Sequence, residues 1–211
     1  MSIKIALAGN PNVGKSTAFN AITGLRQHTG NWSGKTVGIA EGRFRQGGKE
    51  FRLADLPGAY SLTADSAEEE VARNFLCFEH PDAAVVVCDA CCLERNLIFA
   101  IQVAQIIPKT MICVNMMDEA RHRGIKIDLA ALEEEMGIPA IGISAARYEG
   151  LDELEEKMAQ LGTENMAAYL RKIAIDGYIV KLDLPELKEL VSLLRRSGNN
   201  LNQIAKRVNE T

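Results

Sequence analysis

The chain has 211 residues, with 24 Lys and Arg against 28 Asp and Glu, a net charge of −4 and an isoelectric point near 5.5. That length suits one domain of ordinary size with a small appendage, and the acidic balance excludes a chain built mainly to coat nucleic acid. The first apolar run is short and flows into a glycine-rich loop, so no secretory leader is expected, and no run has the length of a bilayer-spanning helix.

In chain order, the apolar residues at 3–8 predict a strand. Gly9-Asn10-Pro11-Asn12-Val13-Gly14-Lys15-Ser16 follows, and then a helix over 15–23. A G-x-x-x-x-G-K-[ST] pattern between strand and helix is a phosphate cradle. Its glycines let backbone N–H groups converge on phosphate oxygens, Lys15 adds a point charge near the β- and γ-phosphates, Ser16 can ligate Mg²⁺, and the helix presents its positive end. Residues 25–36 lack apolar periodicity and are rich in Gly, Asn, Ser and Thr, as suits a loop that orders around a γ-phosphate. Trp32, the single tryptophan, fits either anchoring of that loop by packing or ligand contact. A hairpin is expected over 38–54, turning at Gly47-Gly48. Then come a helix at 67–79, a strand at 83–89, a helix at 93–106, a strand at 110–115, a helix at 129–136, a strand at 140–143 and a helix at 151–161. This alternation predicts an α/β fold, a mostly parallel six-stranded sheet with helices on both faces, and every loop of interest follows the C-terminal end of a strand.

Three of those loops carry chemistry. In Asp55-Leu56-Pro57-Gly58 the carboxylate can hold a Mg²⁺-bound water and the Gly58 N–H can sense a γ-phosphate. In Asn115-Met116-Met117-Asp118 the carboxylate of Asp118 can accept both N–H groups on one edge of guanine; adenine offers no such pair, so Asp118 carries the base choice. Ser144-Ala145-Ala146 ends a strand where a backbone N–H can meet the guanine carbonyl. The five cysteines (Cys77, Cys88, Cys91, Cys92, Cys113) lie in or beside apolar elements, so no disulfide framework is expected. Cys88-x-x-Cys91-Cys92 has the outline of a metal or redox site, but no His or second Cys pair completes it, and packing is the expected role.

Over residues 1–160 the chain resembles the Ras-like GTPase superfamily and, more narrowly, the cytosolic N-terminal GTPase domain of the ferrous iron transport protein B family. Beyond the motifs above, the likeness rests on His-Thr-Gly-Asn-Trp-Ser-Gly-Lys-Thr-Val at 28–37, on Ala-Tyr-Ser-Leu at 59–62 and on Asp-Ala-Cys-Cys-Leu-Glu-Arg-Asn-Leu at 89–97. Glu119-Ala120 and Gly-Ile-Lys-Ile-Asp at 124–128 extend it. The resemblance implies an enzyme that converts GTP to GDP and phosphate, with Mg²⁺ and K⁺ as cofactors. Implied nucleotide contacts are Gly9, Asn10, Pro11, Asn12, Val13, Gly14, Lys15, Ser16, Thr17, Gly34, Lys35, Thr36, Asp55, Leu56, Pro57, Gly58, Asn115, Met116, Met117, Asp118, Ser144, Ala145 and Ala146. Catalysis falls on Asn12, Lys15, Thr36 and Gly58. Mg²⁺ falls to Ser16, Thr36 and, through water, Asp55.

Ras-like enzymes carry Gln after the Asp55-x-x-Gly58 position; here Ala59 and Tyr60 follow. In the resembling family K⁺ takes over charge stabilisation, held by the side chain matching Asn12 and by backbone carbonyls around Gly30 and Trp32; the alternative for Asn12 is that it stabilises the turn. Met116 stands where many GTPases have Lys, and a thioether cannot donate, so modest affinity and fast release are expected. The implied partner is the membrane permease portion of an iron transporter, absent from this chain. The expected location is cytoplasmic, at the inner membrane's cytoplasmic face if joined to that permease, and homo-oligomers are open.

Residues 1–162 form the expected GTPase domain and 163–211 a helical tail, with helical patterns at 165–175, 184–196 and 201–208. Segments 168–178 and 193–205 resemble the C-terminal part of plasmid mobilisation protein C, a relaxosome accessory protein. Net charge is −6 before residue 163 and +2 after it, too little to establish DNA binding, which is not expected. The alternative function is a weakly hydrolysing nucleotide-binding interaction module whose tail contacts DNA or a relaxosome.

Overall fold

In the computed structural model, which describes residues 2–24, 28–30, 38–63 and 66–163, the elements in order are β1 (Ile3–Gly9), α1 (Lys15–Thr23), β2 (His28–Gly30), β3 (Ile39–Gln46), β4 (Lys49–Asp55), α2 (Ala67–Phe78), β5 (Ala83–Asp89), α3 (Leu93–Ile106), β6 (Thr110–Asn115), α4 (Met117–His122), α5 (Leu129–Met136), β7 (Ala140–Gly142) and α6 (Leu151–Thr163). Short 3₁₀ turns at Ala90–Cys92 and Ala145–Arg147 precede α3 and follow β7. One sheet takes the strands in the order β2-β3-β4-β1-β5-β6-β7. From β4 through β7 all neighbours are parallel, while β2 with β3 and β3 with β4 are antiparallel.

Burial explains why the strands read as they do. β6 is buried throughout and β5 up to Cys88, as parallel strands covered on both faces must be, so their sequences are continuous apolar runs. Near the edge, β3 alternates instead: Phe44 is buried between exposed Arg43 and Arg45, and its ring stacks on its cross-strand partner Phe51 at 5.0 Å. One apolar layer joins Phe75 of α2 and Phe99 of α3 to Val86 and Ile112. The opposite layer joins Phe19 of α1 and Leu154 and Met158 of α6 to Leu7, Phe51 and Val85. Ser66 caps α2 by accepting from the Glu69 N–H at 3.2 Å, and Asp128 caps α5 from Ala131 N–H at 3.0 Å, each worth about 1 kcal/mol.

The α/β class, the parallel order and the two helical faces agree with the sequence reading, with three differences. A seventh strand, β2, adds to the edge inside the segment read as a loop. Three residues carry no periodic signal, and only pairing with β3 makes them a strand. The six-residue α4 begins inside the Asn115-to-Asp118 motif, after Met116 turns left-handed at φ 63°. α6 runs two residues beyond the expected end. The helices expected at 165–175, 184–196 and 201–208 lie outside the described residues. No helix among the described residues is long and apolar enough to cross a membrane.

Candidate functional site

The loop between β1 and α1 is shaped by close approaches that forbid side chains. A β-carbon on Gly14, at φ 77°, would fall 2.4 Å from Asn115 Nδ2, and one on Gly9 would fall 2.5 Å from the Val87 carbonyl oxygen. Asn12 also sits left-handed, at φ 66°, a conformation that Asn tolerates better than most residues. The loop walls a cleft of about 400 Å³ lined by Asn10, Pro11, Asn12, Gly14, Lys15, Ser16, Thr17, Gly58 and Glu68. Inside it, Lys15 Nζ donates to Asp55 Oδ1 at 2.6 Å and Ser16 Oγ donates to Asp55 Oδ2 at 3.0 Å. A nearly buried ammonium needs a counter-charge, and Asp55 supplies it. Asn10 Oδ1 is buried in the cleft wall with no hydrogen-bond partner among the described residues.

The loop after β4 lies against this one. Leu56 N–H donates to Leu7 O at 3.0 Å and Ala59 N–H to Gly9 O at 3.1 Å, and a β-carbon on Gly58 would fall 2.9 Å from Pro11 Cα. Ala59 is fully buried. Tyr60 points its ring under the Arg95 guanidinium, 4.7 Å away, while its N–H and that of Ser61 donate to Glu69 Oε1 at 3.0 and 3.3 Å. Farther along the loop, the Gln102 carboxamide accepts from Leu62 N–H at 3.0 Å.

At the base end, buried Asn115 joins three loops at once: its Nδ2 donates to Val13 O and its Oδ1 accepts from Ala145 N–H, both at 3.0 Å. The Met116 Cε lies 3.4 Å from where a Gly14 β-carbon would stand, so the thioether chain covers the phosphate loop. Asp118 N–H donates to Ser144 Oγ at 3.0 Å, and Arg147 Nε forms an ion pair with Asp118 Oδ2 at 2.8 Å. Burial pulls the Asp118 carboxyl upward, but hydrogen bonds with the Ser144 hydroxyl and the Glu119 N–H, and the adjacent Arg147 guanidinium, outweigh it and hold the group below the usual carboxylate range.

The structure thus gathers Asn10 to Thr17, Asp55, Gly58, Asn115 to Asp118 and Ser144 to Ala146 at the C-terminal ends of parallel strands. Within that set, Val13 and Leu56 bury their side chains in the core and Met117 packs on Gly142; what they offer the cleft is backbone. Ala145 spends its N–H on Asn115, which leaves exposed Ala146 to present one. Gly30 stands opposite Ile39 in the β2–β3 ladder. Trp32, Gly34, Lys35 and Thr36 lie outside the described residues. Two cleft neighbours escaped the sequence reading: Glu68, brought in by the start of α2, and Arg147. Arg147 directly follows the Ser144-Ala145-Ala146 motif, but nothing in that spacing says which way it turns. The cysteines are free, and no cluster of metal-ligating side chains occurs among the described residues.

Comparison with known proteins adds to this geometry. A family model described as "Ferrous iron transport protein B" matches residues 3–158, and another, described as "Mobilization protein NikA", matches residues 149–208. The chain is 38% identical over 192 residues to an Fe(2+) transport protein A/Fe(2+) transporter FeoB fusion protein of Porphyromonas gingivalis, covering 90% of this chain and 23% of the relative. It is 42% identical over 181 residues to the Fe(2+) transporter FeoB of Methanocaldococcus jannaschii, covering 82% of this chain and 27% of the relative. The chain therefore spans about a quarter of the length of these relatives, and both alignments are too long to end at residue 162. Among solved structures, the G domain of the T. maritima FeoB iron transporter superposes with a TM-score of 0.72 at 38% identity, covering 77% of this chain and 100% of that one.

Proposed function

The chain belongs to the ferrous iron transport protein B family, and we propose that it binds GTP and hydrolyses it to GDP and phosphate as the regulatory domain of a ferrous iron transporter, with the membrane permease portion as its partner. The observation that carries this reading is Asn115, which ties the phosphate loop to the Ser144 loop while Asp118, three residues on, has its carboxyl held below the usual range. An ionised carboxylate accepts the N1–H and 2-amino groups of guanine together and leaves adenine without a match. The Ala146 N–H would meet the guanine carbonyl. Lys15 exchanges its bond to Asp55 for the β- and γ-phosphates when these arrive.

The donor set fits Mg²⁺: Ser16 Oγ and the Asp55 carboxylate are adjacent hard oxygens, and Ser16, Thr36 and, through water, Asp55 would hold the ion, which offsets phosphate charge. For hydrolysis, the buried methyl of Ala59 and the ring of Tyr60 under Arg95 offer no carboxamide to orient water. Asn12, exposed in its left-handed turn at the cleft, has a side-chain carbonyl suited to K⁺; by the family resemblance the backbone carbonyls of Gly30 and Trp32 would complete the set, and K⁺ would stabilise the charge that an arginine finger stabilises elsewhere.

Phosphate release at equal ionic strength tests this. It should be much faster in K⁺ than in Na⁺ or Li⁺, and Asn12→Ala should erase a difference on the order of a hundredfold while nucleotide binding survives. Equal rates in K⁺ and Na⁺ would remove the K⁺ role. Thr36→Ala should weaken binding of a GTP analogue and spare GDP, which has no γ-phosphate for that residue's loop to grip.

A second reading is favoured by the mobilisation-protein match at 149–208: the tail contacts DNA or a relaxosome. Duplex binding by the full chain that weakens steeply with salt would support it.

A further inference from the structure

Asp118, assigned above to the base, already has a partner: the Arg147 guanidinium, 2.8 Å from its Oδ2. A guanidinium is a planar N–C–N fork of N–H donors that matches a carboxylate. The edge of guanine that Asp118 reads, N1–H and the 2-amino group joined through C2, is the same N–C–N fork. Arg147 meets that carboxylate through one contact, Nε to Oδ2, and a base bound to both carboxylate oxygens would need the same Oδ2.

The shape of its loop presents Arg147 to that carboxylate. Arg147 closes the 3₁₀ turn Ala145–Arg147, donating its N–H to Ser144 O at 2.9 Å. Tyr148 then turns left-handed at φ 59°, and Ser144 and Glu149 exchange backbone hydrogen bonds of 3.1 and 3.3 Å. Glu149 is itself held by Arg121 at 2.6 Å. Ser144 also accepts from Asp118 N–H, so the residue that fixes the carboxylate and the loop that aims the guanidinium are one unit. The Arg147 side chain is 64% exposed and can swing into solvent without unpacking anything.

We propose that Arg147 is a built-in competitor for the guanine subsite: without nucleotide it holds Asp118 as an ion-pair partner, and guanine has to displace it. The proposal rests on the assignment of Asp118 to guanine. It makes affinity adjustable by a residue that touches neither phosphate nor metal ligand. An exposed ion pair has an association constant of only about one to five, so the apparent dissociation constant of GDP is raised by about two- to sixfold.

The test is calorimetric titration of the full chain with GDP. Arg147→Ala and Arg147→Gln should each tighten GDP binding by about two- to sixfold, and the gain should shrink as salt screens the wild-type pair. In an Asp118→Asn background, where the charged acceptor is gone, adding Arg147→Ala should change nothing, a coupling that a general loop effect would not produce. Unchanged or weaker binding in both Arg147 variants overturns the proposal; weaker binding would mean that the guanidinium stacks on the bound base. If Asp118→Asn alone leaves GDP affinity intact, the guanine assignment fails as well, and the two failures are thereby distinguished.

Discussion

At the phosphate end, Lys15 and Asp55 pair at 2.6 Å with side chains 10% and 11% exposed, whereas at the base end Arg147 and Asp118 pair at 2.8 Å with side chains 64% and 22% exposed. Both are cation–carboxylate contacts, one inside the cleft beside the loop between β1 and α1 and one beside the loop after β6. They differ in what solvent allows. Removing one member of the mostly desolvated pair leaves a poorly solvated charge without its partner, although the intact pair gains little net energy because desolvation offsets attraction. Removing one member of the exposed pair costs almost nothing, since water takes over. A substitution at the Lys15–Asp55 pair should therefore cost far more than one at the Arg147–Asp118 pair.

The largest effect expected, and the sharpest test of that contrast, is Lys15→Ala. Losing charge-assisted hydrogen bonds to phosphate should weaken GDP by about a hundredfold or more in calorimetry, against the few-fold change expected at Arg147. Comparable changes at the two positions would break the comparison. Next comes Asn115→Ala, which leaves Val13 O and Ala145 N–H unpaired in the interior and disconnects the two ends; unfolding in urea should show a loss of about 2–4 kcal/mol. Stability unaffected by this change would mean that the ends are independent.

Gly14→Ala should cost about 1–3 kcal/mol by the same measurement, because φ 77° disfavours a side chain and the new methyl meets the Asn115 amide. The smallest effect concerns the titration of Asp118, followed through its side-chain carboxyl carbon by NMR. Since its carboxyl is held below the usual range near 4, its favourable contacts are complete above that pH and are lost only as pH falls through the lowered value. Arg147→Ala should raise the midpoint slightly and leave it depressed, because the Ser144 hydroxyl and the Glu119 N–H remain. A midpoint indifferent to Arg147 would contradict the ion pair at the base end.

Much of the cleft is legible in the amino-acid sequence. Gly9, Gly14, Lys15 and Ser16 stand at spacings that only a strand, a tight turn and a helix satisfy together, and the structure shows why: β-carbons at the two glycines would strike Val87 and Asn115. The fully buried strands are visible as apolar runs for the same local reason. Asn115 is a different case. Its place in the motif is legible, but its bonds to Val13 and Ala145, 102 and 30 residues away in sequence, join loops whose meeting depends on the order β1-β5-β6-β7. Asn10 likewise is legible as a loop residue, and its orphaned oxygen is not.

By itself, then, the sequence determined the strand and helix alternation, the glycine-rich loop between β1 and α1 and the place of Asp118 in its motif, because periodicity, glycine and short motifs act over a few residues of chain. Only the tertiary structure decided that His28–Gly30 is a strand, since three residues acquire that state from pairing with β3. It also decided that Lys15 rests on Asp55, and that Arg147 turns back on Asp118 rather than out to solvent. Each of these is a contact whose partner is chosen by the packing of elements distant in the chain, and the charge and shape of one side chain cannot specify which neighbour the fold will bring.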